Sequence, residues 1–288
     1  MSNELLNRLL GMVETPKNEQ LRPPFTYPGN KVKSANIILE HLPYRFKYIE
    51  PFGGSAAILL ARRKSKLEVY NDLSSGLVAF YRCIRNQNKL NQLCERLQFT
   101  LDSREEFYWC KDRVVTTSDD IERAACWYMV NTYSVSTLGR NWGRSINSAS
   151  IAGRVQQKLP LFQALHERLI NVQIENQPYQ DCLRDYDSND AVFYIDPPYL
   201  DAYKGVYRHE LSIQEHRNLI NQIFALKGFA AVSGFSNPLY DNQPWDKKFT
   251  WATRSTMQPM GEGLSTNQNT GSNSGASGTL QECLWIKE

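Results

Sequence analysis

A motif of one acid, two prolines and one tyrosine is the strongest chemical signal in the chain. Asp196-Pro197-Pro198-Tyr199 directly follows the apolar run Ala191–Ile195, which is typical of a strand buried on both faces. The prolines fix the backbone, direct their neighbours and leave the Pro197 carbonyl without a strand partner. The Asp196 carboxylate and this carbonyl form two acceptors suited to an amino group, and Tyr199 offers a flat face for a base. The motif predicts catalysis at an amino group of a planar base.

A glycine turn nearer the start of the chain is the second signal. Residues 51–54 (PFGG) follow the short strand-like run 47–50 (KYIE), and an apolar helical segment comes next. Asp72 ends the next run about twenty residues later, where an acid can accept hydrogen bonds from both ribose hydroxyls of a nucleoside cofactor. Because the chain lacks a G-x-G-x-x-G pattern, the turn favours a cofactor with one nucleoside over a dinucleotide.

The two signals together match methyl transfer to the amino group of a planar base. Two acceptors on the N–H bonds would draw the nitrogen toward tetrahedral geometry and free its lone pair to attack a sulfonium methyl group. Asp196 needs only to be ionised for this role, because the cofactor supplies the leaving group. An amino group inside a duplex is out of reach, so the target base would have to be flipped out.

The elements around these motifs predict an α/β protein with a mostly parallel sheet and an antiparallel last strand. Strand patterns lie at 47–50, 68–71, Ala191–Ile195, Phe229–Phe235 and 283–286. Residues 86–169 lack a parallel-strand pattern and are predicted to form an inserted, mainly helical lobe with a loop or hairpin over 134–153. We therefore predict a catalytic, cofactor-binding domain made of residues 1–85 and 170–288, interrupted by this lobe.

Two Ser-x-x-Glu capping boxes predict helix starts at Ser103 and Ser212. A further helix is predicted from Asp119 to about Tyr133. The helix after Ser212 is predicted to bury one apolar face, made of Ile213, Leu219, Ile220, Ile223 and Phe224.

Composition sets limits on the class of protein. The 288 residues carry a net charge of +3, and 41% are hydrophobic, which is enough for a buried core. Six cysteines without a C-x-x-C pair or nearby histidines indicate reduced thiols in a cytoplasmic protein, with no zinc site and no disulfide framework. The apolar runs are too short for a membrane helix. An acid-free stretch between Glu122 and Glu167 contains several bases and predicts contact with a polyanion.

Three separated segments, in this order, resemble motifs of the Dam-like family of adenine-specific DNA methyltransferases. They are 26–31 (TYPGNK), 50–56 (EPFGGSA) and 196–199 (DPPY), and Asp72 falls where that family keeps its ribose-binding acid. The resemblance implies a Rossmann-like methyltransferase sheet that transfers a methyl group from S-adenosylmethionine to the N6 amine of adenine, without a metal. Ala56 stands where the family pattern has glycine, and we expect the turn to survive because alanine is the smallest replacement.

The resemblance also assigns residues to three sites. The catalytic residues would be Asp196, Pro197, Pro198 and Tyr199. The cofactor pocket would be formed by Tyr27, Pro28, Gly29, Lys31, Glu50, Pro51, Phe52, Gly54, Ser55, Asp72, Tyr179 and Asp196. Lys31 would suit the methionine carboxylate. The lobe 86–169 corresponds to the target-recognition domain, in which the DNA contacts would come from Asn131, Tyr133, Arg140, Asn141 and Arg144.

The expected partner is double-stranded DNA, with no membrane contact and no obligate protein partner. The expected roles are restriction-modification or protection of phage DNA. Two other functions stay open at this point. The same core serves RNA and protein-glutamine methyltransferases, although these usually carry asparagine where this chain has Asp196. A catalytically silent protein that binds S-adenosylmethionine and DNA is the second alternative, against which the intact 196–199 motif argues.

Overall fold

The computed structural model of the protein describes residues 21–135, 139–143, 151–200, 210–253 and 280–288. Part of the predicted loop or hairpin 134–153, including Arg144, lies outside the described residues. The remaining sequence predictions can be compared with the structure.

The described strands form one seven-stranded sheet in the order β3-β2-β1-β4-β5-β7-β6. They are β1 Lys47–Glu50, β2 Leu67–Asn71, β3 Gln173–Glu175, β4 Ala191–Ile195, β5 Phe229–Phe235, β6 Lys247–Thr253 and β7 Leu280–Lys287. The pairs that join β3, β2, β1, β4 and β5 are parallel, whereas β7 runs antiparallel to β5 and to β6. The predicted Rossmann-like sheet with an antiparallel last strand is confirmed.

Alternate residues of the strands face two separate apolar clusters, as the period of a strand requires. Tyr48 and Tyr194 lie in one cluster, and Ile49 and Phe193 lie in the other. Every residue of β4 is buried, which explains its unbroken apolar run. Apolar clusters therefore cover both faces of the sheet. A ligand can approach it at the carboxyl ends of the parallel strands.

The described chain forms eleven helices, six of which follow one another between β2 and β3. They are Ala35–Glu40, Ala57–Ala61, Ser75–Arg85, Gln87–Gln98, Arg104–Thr116, Asp120–Tyr133, Ile151–Lys158, Leu161–Leu169, Tyr179–Tyr186, Ile213–Ala225 and Pro238–Asp241. The Ser212 capping box is present, since Ser212 Oγ accepts from Glu215 N at 3.2 Å and Glu215 Oε2 accepts from Ser212 N at 2.7 Å. The helix after Ser103 also begins as predicted.

The sequence prediction was wrong for Ile213 and incomplete for two strands. Ile213 is 54% exposed because it is the first residue of its helix, before the helix packs on the sheet. The edge strands β3 and β6 were not anticipated. The three residues of β3 are too few to show a pattern, and β6 is only partly buried. The helices of 86–169 share one apolar cluster with the sheet, so the proposed division into two domains stays a prediction.

The register of the central strands places the two sequence motifs side by side. Ile49 of β1 pairs with Phe193 of the parallel strand β4, so both strands end at the same edge of the sheet. The glycine turn leaves β1 after Glu50, and Asp196 directly follows β4. The strand order reverses between β1 and β4, and ligands of such sheets bind in the crevice at that point.

Candidate active site

An open cleft lies at this edge, between the ends of β1, β2 and β4. It holds about 950 Å³ of space, part of it open solvent. The cleft is lined by every residue predicted for the cofactor pocket, namely Tyr27, Pro28, Gly29, Lys31, Glu50, Pro51, Phe52, Gly54, Ser55, Asp72, Tyr179 and Asp196. Pro197 and Pro198 also line it. Five separated parts of the chain therefore meet at one place.

The turn after β1 adopts a backbone conformation that glycine adopts most easily. Gly54 and Ala56 both have positive φ angles, of 47° and 56°, in the left-handed region that other residues rarely occupy. The turn thus forms with alanine at the position where the family pattern has glycine. Gly53 is required for a different reason, because a Cβ atom there would lie 2.2 Å from the Tyr70 ring. The turn presents backbone to the cleft.

Asp72, at the end of β2, holds the same turn. Its Oδ2 accepts a hydrogen bond from Gly54 N at 2.9 Å, and its Oδ1 accepts one from Ser74 N at 2.7 Å. A carboxylate oxygen can accept more than one hydrogen bond, so these contacts orient the group without excluding a ligand.

Glu50 places a buried carboxyl group in the wall of the cleft. It is 2% exposed, and the loss of solvation raises its pKa from 4.5 to about 8. The hydrogen bond that Tyr48 OH donates to Oε1 at 2.7 Å acts in the opposite direction and does not cancel this effect. Burial therefore favours the protonated form of Glu50 at neutral pH.

We expect Glu50→Gln to stabilise the folded protein at pH 8. The pKa of Glu50 lies near 8 in the folded state and near 4.5 when unfolded, so the folded state binds the extra proton between these values. Stability of the wild type therefore falls as pH rises through this window, by roughly 5 kcal/mol in total, and the variant lacks this fall. Urea unfolding from pH 5.5 to 8.5 measures it. A constant difference between the two proteins across that range would contradict the prediction.

Both carboxylate oxygens of Asp196 have partners within the protein. Lys31 Nζ donates to Oδ2 at 2.8 Å, and Ser233 Oγ donates to Oδ1 at 2.8 Å. Lys31 is buried and also donates to Gly29 O at 2.7 Å. The resemblance assigned Lys31 to a ligand carboxylate, and in this structure its ammonium is paired with Asp196. The pairing places the Lys31 ammonium against the Asp196 carboxylate at the end of β4.

Glu282 belongs to the same cluster and was missed by the sequence analysis. It lies on β7 and is 5% exposed. Its Oε1 accepts from Tyr199 OH at 3.1 Å and lies 3.8 Å from Lys31 Nζ. A signal was available, because an acid next to the apolar run 283–286 of a predicted strand is costly to bury without a partner.

Tyr199 lies beside the large cleft. Its ring packs edge to face against Phe235 at the end of β5, with ring centroids 4.7 Å apart and planes at 76°. Both rings line a second, smaller cleft, and Pro197 lines both clefts. The 196–199 motif therefore lies at the junction of the two clefts.

Tyr179 forms an aromatic wall of the large cleft together with Phe52. The ring centroids are 5.0 Å apart and the planes are tilted by 31°. Tyr179 is only 3% exposed, and its OH donates to Glu215 O at 3.3 Å. It therefore both packs in the core and presents a ring edge or face to the cleft.

The candidate DNA contacts divide into buried and exposed residues. Asn131 is 6% exposed and its amide donates to Thr26 O at 2.8 Å, while Tyr133 is fully buried. The structure therefore places these two side chains inside, where Asn131 holds the segment that leads to Tyr27. Arg140 and Asn141 are exposed next to the antiparallel bridge between Ser134 and Trp142.

Neither a metal centre nor a membrane segment is seen in the part of the chain that the structure describes. Within those ranges, no cluster of three or more His, Cys, Asp or Glu residues could hold a metal ion. Across the same ranges, no helix is both long and apolar enough to cross a membrane. All six cysteines are unpaired and buried.

Residues 27–256 match the family model of the D12 class N6 adenine-specific DNA methyltransferases. The match covers more than half of the chain and includes the glycine turn, the 196–199 motif and the lobe 86–169. A search of curated proteins found no match to the chain.

Proposed function

We propose that this chain, which belongs to the D12 class of N6 adenine-specific DNA methyltransferases, binds S-adenosylmethionine in the large cleft and methylates an adenine flipped out of double-stranded DNA. The observation that supports the proposal most strongly is that the predicted cofactor residues and the catalytic Asp196 line one cleft. The smaller cleft beside Tyr199 and Phe235 provides an aromatic surface for the target base.

The residues of the cleft fit the parts of S-adenosylmethionine. Asp72 offers a carboxylate to the ribose hydroxyls, and the ring pair of Phe52 and Tyr179 offers an apolar wall to the adenine. Glu50 offers a carboxyl group to the positively charged methionine end of the cofactor. That positive charge would favour the ionised form of Glu50. When bound, the cofactor supplies a methyl group on a sulfonium sulfur, which makes the methyl carbon electrophilic.

Asp196 and the Pro197 carbonyl act on the amino group that receives the methyl group. Each accepts one N–H hydrogen, which localises the lone pair on the nitrogen and orients it toward the cofactor side of the junction. Tyr199 stacks on the base and fixes its plane. Because Ser233 Oγ donates to Asp196 Oδ1, the carboxylate is already oriented when the base binds, and such preorganisation is a large part of catalysis.

We assign DNA binding to the lobe 86–169. The exposed residues Arg140 and Asn141 lie next to the helix Arg104–Thr116, since Lys111 Nζ donates to Arg140 O at 2.9 Å. Arginine can pair with guanine or phosphate and asparagine with adenine. The buried Asn131 and Tyr133 instead support the core of the lobe and the Tyr27 segment.

We expect Arg140→Ala to weaken binding to duplex DNA by roughly 5- to 10-fold and to lower the slope of log affinity against log salt by about 1. The physical reason is the loss of one exposed cation. Fluorescence anisotropy at several salt concentrations measures both quantities. Arg63→Ala is a matched control, because Arg63 is exposed before β2, at the opposite edge of the sheet. Equal effects of the two changes would place the DNA interface elsewhere.

The proposal is tested by calorimetry with S-adenosylmethionine and by transfer of label from the cofactor to DNA, RNA or protein. We expect saturable cofactor binding and label in DNA. Label in RNA or protein alone would contradict the assignment of the acceptor, and an absence of cofactor binding would contradict the assignment of the cleft.

A further inference from the structure

We propose that Glu282 is a positioning residue that takes over Lys31 from Asp196 when the target amino group binds. The inference rests on the proposed function, because it assumes that Asp196 accepts a hydrogen bond from the base. It concerns a residue outside the three motifs that the sequence identified.

Glu282 is buried, which is unfavourable for a carboxylate without compensating contacts. In the register of the sheet, it lies on β7 between Phe235 of β5 and Trp251 of the edge strand β6. Burial of a charge is costly unless hydrogen bonds and opposite charges compensate for it. Its contacts therefore indicate what the carboxylate does.

Each oxygen of Glu282 has a defined partner. Oε1 accepts from Tyr199 OH at 3.1 Å, and Oε2 accepts from Ser34 Oγ at 3.2 Å. Trp251 Nε1 donates in turn to Ser34 Oγ at 3.3 Å. The carboxylate is thereby fixed from both sides and fixes the hydroxyl end of the Tyr199 ring.

Lys31 lies between two carboxylates at unequal distances. Its Nζ is 2.8 Å from Asp196 Oδ2 and 3.8 Å from Glu282 Oε1, and it lies 4.9 Å from the centre of the Tyr199 ring. An ammonium group has three hydrogens, two of which are used on Asp196 and Gly29. A shift of about 1 Å would bring Glu282 to hydrogen-bond distance.

This unequal arrangement resolves a conflict at Asp196. The ammonium of Lys31 occupies Oδ2, which competes with a base amino group for the same negative charge. If Lys31 moves toward Glu282, Asp196 becomes the stronger acceptor while the lysine keeps an anionic partner. The same glutamate accepts a hydrogen bond from Tyr199. Glu282 therefore contacts both the ring on which the base would stack and the lysine that would leave Asp196.

The test compares Glu282→Gln with the wild type in single-turnover methylation of DNA. Glutamine keeps an acceptor for Tyr199 OH but removes the charge that attracts Lys31. We expect the rate to fall about 10- to 100-fold, as for loss of a hydrogen bond to a charged group, with the cofactor Kd from calorimetry changed less than about threefold. Thermal stability should change little, because Lys31 keeps Asp196 as its closer anionic partner.

Glu175→Gln is the matched control. Glu175 Oε1 also accepts from a tyrosine, Tyr186 OH at 3.0 Å, but it does not line the cleft. Its rate should stay within about twofold of the wild type, as for a change outside the site.

A double-mutant cycle with Lys31→Met separates positioning from a structural role. Because Glu282 acts through Lys31, Glu282→Gln should have little further effect on the rate in the Lys31→Met background. An unchanged rate for the single variant, or the same fold loss in both backgrounds, would overturn the inference. A wild type that transfers no methyl group to DNA would instead overturn the proposed function and the inference with it.

Discussion

Asp196→Ala should reduce the rate of methyl transfer to DNA by about a thousandfold or more, as expected when a preorganised charged acceptor is lost. The carboxylate lies where the two clefts meet and is held by Lys31 and Ser233 at 2.8 Å each. Removing it takes away one of the two acceptors on the amino group and leaves the Lys31 charge next to the target nitrogen. Affinity for DNA should change little, because the proposed DNA surface lies in another lobe.

Single-turnover kinetics with labelled cofactor measure the loss. Asp190→Ala is the matched control, since Asp190 lies at the opposite end of β4 and contacts Lys47 at 3.6 Å instead of the cleft. Its rate should remain within about twofold of the wild type. A rate for Asp196→Ala close to that of the control would contradict the catalytic role of Asp196.

Asp72→Ala should weaken binding of S-adenosylmethionine by about 100-fold, which corresponds to loss of hydrogen bonds from a carboxylate to the ribose. The structure adds a second reason, because Asp72 also accepts from Gly54 N and Ser74 N. Loss of the side chain therefore affects both the ligand and the turn that lies beside it. Calorimetry measures the affinity, and urea unfolding measures the free energy of unfolding.

Asp187→Ala separates the two effects of the Asp72 change. Asp187 also accepts hydrogen bonds from backbone amides, those of Lys227 at 3.0 Å and Gly228 at 3.1 Å, but it does not line the cleft. Both variants should lose stability by roughly 1–2 kcal/mol, whereas only Asp72→Ala should lose affinity for the cofactor. Unchanged affinity in Asp72→Ala would contradict the assignment of the ribose site.

The sheet and the cleft could be predicted because local sequence dictates them. The apolar run of β4 and the prolines after it determine a buried strand and its end, and the glycine turn determines the end of β1. Parallel strands then require these ends to meet at one edge. This is why the predicted cofactor residues, distributed from Tyr27 to Asp196, line a single cleft.

The remaining features depend on contacts that local patterns do not encode. Glu282 takes its role from the register of β7 between β5 and β6, which is set by distant pairing. Asn131 carries a polar side chain at a helix end, and only the packed Tyr27 segment shows that its amide is buried. Ile213 fits the apolar period of its helix, but it is the first residue of that helix and is exposed, because only the later turns pack on the sheet.

Nucleoside analysis of DNA treated with the protein and methyl-labelled S-adenosylmethionine tests the central claim most directly. The purified wild type should produce labelled N6-methyldeoxyadenosine in duplex DNA, and Asp196→Ala should produce almost none under the same conditions. Label in a methylated cytosine, or equal label in N6-methyldeoxyadenosine from the wild type and Asp196→Ala, would contradict the claim that this cleft methylates adenine through Asp196.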